Sequence, residues 1–111
     1  MPNKSKGLDA EFKARVYTLI GAIPQGKVAA YGQLAKLAGA ENQSRAVGRL
    51  LKCLPPESSL PWHRVVNSQG KISFDENSEK YQQQRKLLEA EGIQFKNNKV
   101  NLKTYQWLVS Y

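Results

Sequence analysis

One histidine and one cysteine stand among the 111 residues of this chain. A lone imidazole without paired thiols has no zinc-ligand spacing, so no metal site is expected. A lone thiol excludes an internal disulfide and suits a reducing compartment. No apolar run is long enough to cross a bilayer, and the opening stretch Met1-Pro2-Asn3-Lys4-Ser5-Lys6-Gly7 has no apolar signal core. These absences predict a soluble cytoplasmic protein without membrane contacts. Internal repeats and low-complexity segments are also missing. A chain of this length supports one modest core rather than two, so a flexible arm over residues 1–7 and one domain over residues 8–111 are expected. A cofactor-sized α/β fold does not fit, and no cofactor is expected.

Acidic residues are scarce as well. Seventeen Lys and Arg face nine Asp and Glu, for a formal net charge of +8. Such a surplus steers encounter with a polyanion, nucleic acid above all. A merely soluble basic surface has the same count, so the placement of the charges has to decide between the two.

Asp9 is positioned to cap a helix in which Phe12, Val16, Leu19, Ile20 and Ile23 recur at helical spacing until Pro24-Gln25-Gly26 ends it. Lys27-Val28-Ala29-Ala30 reads as an extended lead into a second helix over residues 31–38, with Leu34 and Leu37 inward and Gly39 as its stop. A third helix is expected over residues 43–54. Two short helices joined by a few residues containing glycine make a helix-turn-helix candidate. On the third helix Val47, Leu50, Leu51 and Leu54 share one face, while Arg45, Gly48, Arg49 and Lys52 share the opposite one. Gly48 costs about 1 kcal/mol of helix stability relative to Ala, so its place on the basic face suggests the close approach of something bulky. A solvated face with an incidental glycine is the plainer alternative.

The proline-bounded loop from Pro55 to Pro61 has too many breakers for regular structure. Asn67-Ser68-Gln69-Gly70 reads as a turn, and Lys71-Ile72-Ser73-Phe74 as a strand or wing. A helix over residues 78–91 carries Tyr81, Leu87 and Leu88 and closes at Gly92. Ile93-Gln94-Phe95 and Val100-Asn101-Leu102 read as a hairpin around Lys96-Asn97-Asn98-Lys99. Residues 105–109 are expected to add a last helical turn.

Few side chains offer chemistry. As a general base His63 needs a nucleophile within hydrogen-bond reach, and its neighbour Trp62 is not one. The ordinary reading of His63 is a packed imidazole with its ring nitrogens satisfied. Cys53, between the core face and the flank of the third helix, reads as a small buried hydrophobe rather than an activated thiolate. Trp62 reads either as a core aromatic after a proline or as a wall against which an unstacked base can lie. Tyr31 and Arg45 have equally plain readings, as a helix-start aromatic and a surface cation.

Five ordered blocks change this picture: Ile23-Pro24-Gln25-Gly26-Lys27-Val28, Ala30-Tyr31-Gly32-Gln33-Leu34-Ala35, Arg45-Ala46-Val47-Gly48, Pro61-Trp62-His63-Arg64-Val65-Val66 and Glu91-Gly92. In this order and with this spacing they resemble the C-terminal DNA-binding domain of the O6-alkylguanine-DNA alkyltransferase family, from about Phe12 to Ile93. Any one block is a weak signal; five in order are a strong one. The family's active-site run reads Pro-Cys-His-Arg-Val, and Trp62 stands at its alkyl-accepting cysteine, as in the alkyltransferase-like branch. An indole offers no thiolate, so no alkyl transfer to this position is expected.

The resemblance implies a mainly α fold with a small β hairpin or wing, a winged helix-turn-helix that presents its recognition helix to the minor groove. Arg45 matches the family's finger, which fills the gap left by an extruded guanine. Tyr31 matches the tyrosine that crowds the phosphate and favours nucleotide rotation. Gly48, Arg49 and Lys52 complete the implied DNA-binding set, and Tyr31, Trp62 and Val65 the implied lesion pocket. His63 and Glu91 occupy the positions of the family's activating relay. With the cysteine replaced, and with Leu54 where the family has an asparagine, they read as structural struts and no catalytic residue is expected. Asp75 and Glu76 fall near the pocket-closing loop, where the family often has an aromatic, hydroxyl or basic residue.

The resemblance thus implies a monomeric, non-enzymatic sensor that flips O6-alkylguanine out of double-stranded DNA and directs it to nucleotide excision repair proteins. Two other readings remain open at this stage. One is an active transferase with Cys53 as a displaced nucleophile. The other is a winged helix-turn-helix transcription regulator, although no dimerisation helix is evident for reading two half-sites.

Overall fold

The apolar stripe Phe12, Val16, Ile20 and Ile23 is buried along the inner face of α1 (Lys4–Ala22) and its exit. The computed structural model describes residues 4–55 and 57–109, with residues 4–9 described by their backbone alone. Residues 1–3 of the expected arm lie outside the described residues. The helix starts at Lys4, upstream of the expected Asp9 cap. Helical backbone propagates from a packed nucleus at little cost per residue, and one glycine at position 7 does not stop it.

The α1 stripe packs on α2 (Tyr31–Leu37) and α3 (Ser44–Lys52), the two helices of the helix-turn-helix. Leu34, Ala35 and Val47 complete this first apolar cluster, and Leu50 and Leu51 pack against it. Leu54 lies beyond the helix, whose end is marked by Cys53 N donating to the Arg49 and Leu50 carbonyls at 3.1 and 3.3 Å.

A short parallel ladder divides this cluster from a second one. β1 (Ala29–Ala30) pairs with β2 (Val65–Val66) in the register Ala29 to Val65 and Ala30 to Val66. Successive strand residues face opposite ways. Accordingly Ala29 and Val65 join the first cluster, while Val28 and Val66 join Leu88, Ile93 and Val100 in the second. The ladder is the wall between two small cores.

Ser78 caps α4 (Glu79–Ala90) by accepting from Tyr81 N at 3.1 Å, and Tyr81, Gln84 and Leu88 form its buried stripe. The hairpin of β2's successors, β3 (Phe95–Lys96) and β4 (Lys99–Val100), is tighter than expected. Asn97 and Asn98, at φ 55 and 61, turn it in two residues, which is the type I′ geometry that matches strand twist and that asparagine tolerates. Two expectations are corrected. Lys71–Phe74 forms no strand, because Asn67 draws it into a turn: Asn67 N donates to the Lys71 carbonyl, and Asn67 Oδ1 accepts from Gln69 N and Lys71 N, all at 2.9 Å. The last helical turn is α5 (Leu102–Tyr105), earlier than residues 105–109. Beyond it the tail is extended, since Trp107 N donates to the Val28 carbonyl at 2.7 Å and Val28 N to the Tyr105 carbonyl at 2.9 Å. Gln33 secures the same junction: its Oε1 accepts from Ala30 N at 3.1 Å and Gln106 Nε2 at 2.8 Å, while its Nε2 donates to the Trp107 carbonyl.

Candidate nucleic-acid interface

Three cations spaced along one face of α3, Arg45, Arg49 and Lys52, are all exposed, and Val47 on the opposite face is fully buried. They line an open cleft of about 410 Å³, whose other side is formed by Tyr31, Gly32 and residues of the 67–73 segment. No carboxylate lines it. Gly48 lies in its floor, and a Cβ built there meets nothing within 4 Å. The protein's own packing therefore does not require glycine at this position, nor does a left-handed backbone. The Gly48 backbone is thus open to whatever enters the cleft from outside.

Behind Gly48 the cleft adjoins a second cavity of about 380 Å³, and Tyr31, Gly48 and Lys52 belong to both. Leu51, Leu54, Pro55, Trp62, Val65 and Phe74 supply its apolar wall. Its volume falls in the range of sites that enclose small ligands. Trp62 is held edge-on by Phe74, with centroids 6.3 Å apart, and by His63 at 6.1 Å. The Lys80 ammonium lies 4.3 Å from the Trp62 ring centroid. Burial raises the pKa of the Tyr31 phenol above its ordinary value against the opposing effect of a hydrogen bond with Ser73, so Tyr31 meets the cavity as a neutral hydroxyl.

The base of the Trp62 turn is held from behind by one carboxylate. Trp62–Arg64 forms a single 3₁₀ turn leading into β2. Gln84 Nε2 donates to the His63 and Val65 carbonyls at 3.0 and 2.9 Å, which ties the middle of the turn and the residue after it to α4. His63 Nε2 lies 2.7 Å from Glu91 Oε2. Arg64 grips the same carboxylate with Nε at 3.1 Å to both oxygens and NH2 at 2.8 Å, and its NH1 donates to the Ile23 carbonyl at 2.8 Å. Gly26 N donates to Glu91 Oε1 at 2.8 Å from a left-handed turn at φ 84, where a side chain is disfavoured. Burial by itself would raise the Glu91 pKa, but the Arg64, Gly26 and His63 hydrogen bonds outweigh it and bring the carboxyl down to about 2. The carboxylate is thus charged and fully engaged at neutral pH.

The structure brings some of the expected site residues together and leaves others apart. Arg45, Gly48, Arg49 and Lys52 gather in the cleft with Tyr31, and Tyr31, Trp62 and Val65 meet in the cavity. His63 and Glu91 form a pair but line neither space. Cys53 is corrected: it is exposed rather than buried, because α3 stops at Lys52 and Cys53 is its exposed cap residue. It lines neither space. Asp75 and Glu76 also face away, Asp75 Oδ1 accepting from Asn77 N at 2.8 Å and Glu76 Oε2 from Asn98 Nδ2 at 3.5 Å. The sequence assigns Lys80, Phe74 and Gln84 no site role and Arg64 only a place in the block over residues 61–66; of the first three, Gln84 has a local signal, as the one polar residue in the helical stripe Tyr81, Gln84 and Leu88. Among the described residues no cluster of three His, Cys, Asp or Glu is suited to a metal.

The arrangement matches known proteins. The family model for the 6-O-methylguanine DNA methyltransferase DNA-binding domain matches residues 11–93. A DNA base-flipping protein of Vibrio parahaemolyticus is 44% identical over 98 residues, which cover 87% of this chain and 96% of the relative. Alkyltransferase-like protein 1 of Schizosaccharomyces pombe is 41% identical over 102 residues, covering 87% and 94%. Among solved structures, S. pombe Atl1 in complex with damaged DNA containing O6-carboxymethylguanine superposes with a TM-score of 0.82 at 40% identity, covering 90% of this chain and 97% of that one. Mycobacterium tuberculosis OGT in complex with DNA superposes at 0.63 and 32% identity, covering 74% and 49%. With most of its length matched by the family model and by relatives above 40% identity, the chain belongs to the 6-O-methylguanine DNA methyltransferase DNA-binding-domain family, in company with its alkyltransferase-like members.

Proposed function

We propose that this protein binds double-stranded DNA through α3, turns an O6-alkylguanine nucleotide out of the helix into the Trp62 cavity, and holds it there without alkyl transfer. The observation that carries this reading is the continuity of the cationic cleft with an apolar cavity through Tyr31, Gly48 and Lys52, with an indole where the family has its thiol. Extruding a nucleotide costs a few kcal/mol in stacking and pairing. Arg45, in the lining of the cleft, fills the vacated place in the stack, Tyr31 turns the nucleotide, and Trp62 returns about 1 to 3 kcal/mol by stacking on the base. Arg49, Lys52 and the Gly48 backbone bind the phosphates.

No step in this sequence needs a nucleophile. Trp62 has none to offer, and His63 and Glu91 are bound into the Arg64 strut. The protein then persists on the lesion as a marker, acts as a monomer in the cytoplasm, and passes the site to nucleotide excision repair proteins. The names of relatives, one for base flipping and one solved with O6-carboxymethylguanine DNA, support the same reading.

A panel of matched duplexes with guanine, O6-methylguanine and larger O6-alkylguanines tests it, with intact protein mass measured on the same samples. Tighter binding to the lesions at unchanged mass is expected. Equal affinity for guanine and O6-methylguanine would sink the sensor, an added alkyl mass would establish a transferase, and tight binding to a defined undamaged operator would establish a regulator.

A further inference from the structure

Lys80 is the second residue of α4, where the positive end of the helix dipole disfavours a cation. It is exposed and forms no salt bridge with a described residue. Its ammonium instead lies 4.3 Å from the centroid of the Trp62 ring, and both residues line the 380 Å³ cavity. Lys52 is the other cation of that wall, which contains no carboxylate. A largely apolar space therefore has two cations and no carboxylate on its wall, and one of the two, Lys80, rests against the Trp62 indole.

We propose that Lys80 makes this cavity select O6 substituents that carry a negative charge, such as a carboxymethyl group, over neutral substituents of the same size. The proposal rests on the reading of the cavity as a lesion pocket. A substituent that reaches the Trp62 face displaces the ammonium from its cation–π contact, which is worth little at an exposed site. A neutral alkyl group gives nothing in return, and an amide carbonyl only a hydrogen bond to an uncharged acceptor, weaker than one to a carboxylate. A carboxylate gives the ammonium a new partner in surroundings partly stripped of water, where attraction between unit charges exceeds its value in bulk solvent. Because the Lys80 head remains open to solvent and salt, the gain is modest, about fivefold in affinity.

The test compares full-length wild type, Lys80→Gln and Lys80→Arg for binding to duplexes with O6-carboxymethylguanine, its neutral carbamoylmethyl analogue, O6-methylguanine and guanine. The ratio of carboxymethyl to carbamoylmethyl affinity is expected to fall about fivefold in Lys80→Gln, to persist in Lys80→Arg, and in wild type to shrink as salt is raised. Circular dichroism checks that each variant is folded. An unchanged ratio in Lys80→Gln, with preference for O6-methylguanine over guanine retained, overturns the proposal alone. Loss of that preference in wild type overturns the lesion-pocket reading, and the proposal with it.

Discussion

Glu91→Gln keeps the shape of the side chain at the centre of the Glu91–Arg64–His63 strut and removes its charge. The carboxyl is brought from its ordinary 4.5 down to about 2. At about 1.4 kcal/mol for each pH unit, that gap corresponds to about 3 kcal/mol of preference for the charged form in the folded protein. The side chain is 10% exposed, and screening by nearby solvent makes this figure an upper bound. The amide leaves Arg64 without its counter-charge, and loss of one partner of a buried pair has a cost of similar size. Because the folded-state pKa lies below the unfolded one, this stability is fully present above pH 4.5 and is lost as the pH falls towards 2. About 2 kcal/mol of the difference between wild type and Glu91→Gln should therefore disappear between pH 7 and pH 3. Urea unfolding followed by tryptophan fluorescence at the two pH values measures it. A difference that stays constant within about 0.5 kcal/mol, or grows as the pH falls, would refute the reasoning. At pH 7 the folded variant should bind lesion DNA within about threefold of wild type, since Glu91 lines neither the cleft nor the cavity.

Gly48→Ala should raise thermal stability by up to about 1 kcal/mol through helix propensity, because its Cβ meets nothing in the protein. It should also weaken binding to every duplex by about tenfold in a fluorescence anisotropy titration, and unchanged affinity would remove the argument for close approach. Gln84→Leu leaves the His63 and Val65 carbonyls without their donor and should cost about 1 to 3 kcal/mol in chemical denaturation. Arg45→Ala should reduce affinity for O6-methylguanine DNA much more than for undamaged DNA. Arg49→Ala should weaken both alike and lower the salt dependence of binding by about one counter-ion, so an identical pattern for the two variants would deny Arg45 its role in the stack.

Local periodicity made α3 legible: a 3.6-residue repeat sorts Val47, Leu50 and Leu51 from Arg45, Arg49 and Lys52 without reference to the rest of the chain. The turn at Asn97-Asn98 was legible in outline for the same reason, and the structure only tightened it by one residue on each side. Helix ends were read less well at Asp9 and Leu54, where capping signals are weak against the cost of one more turn. The extended tail was misread because its partners, the Val28 backbone and the Gln33 side chain, are far from it in the chain.

The sequence by itself therefore determined the identity of the blocks, the surplus of positive charge, the basic face of the recognition helix and the absence of a nucleophile at Trp62. These depend on residue type and short spacing. Only the tertiary structure decided how those parts meet. Gly26 and Glu91 are 65 residues apart in the chain yet share a hydrogen bond. The parallel pairing of β1 with β2 brings Tyr31 and Trp62 to one cavity, and α4 swings Lys80 over the indole. Each is a contact between distant segments, chosen by the packing of two small cores, and no local pattern encodes its partner.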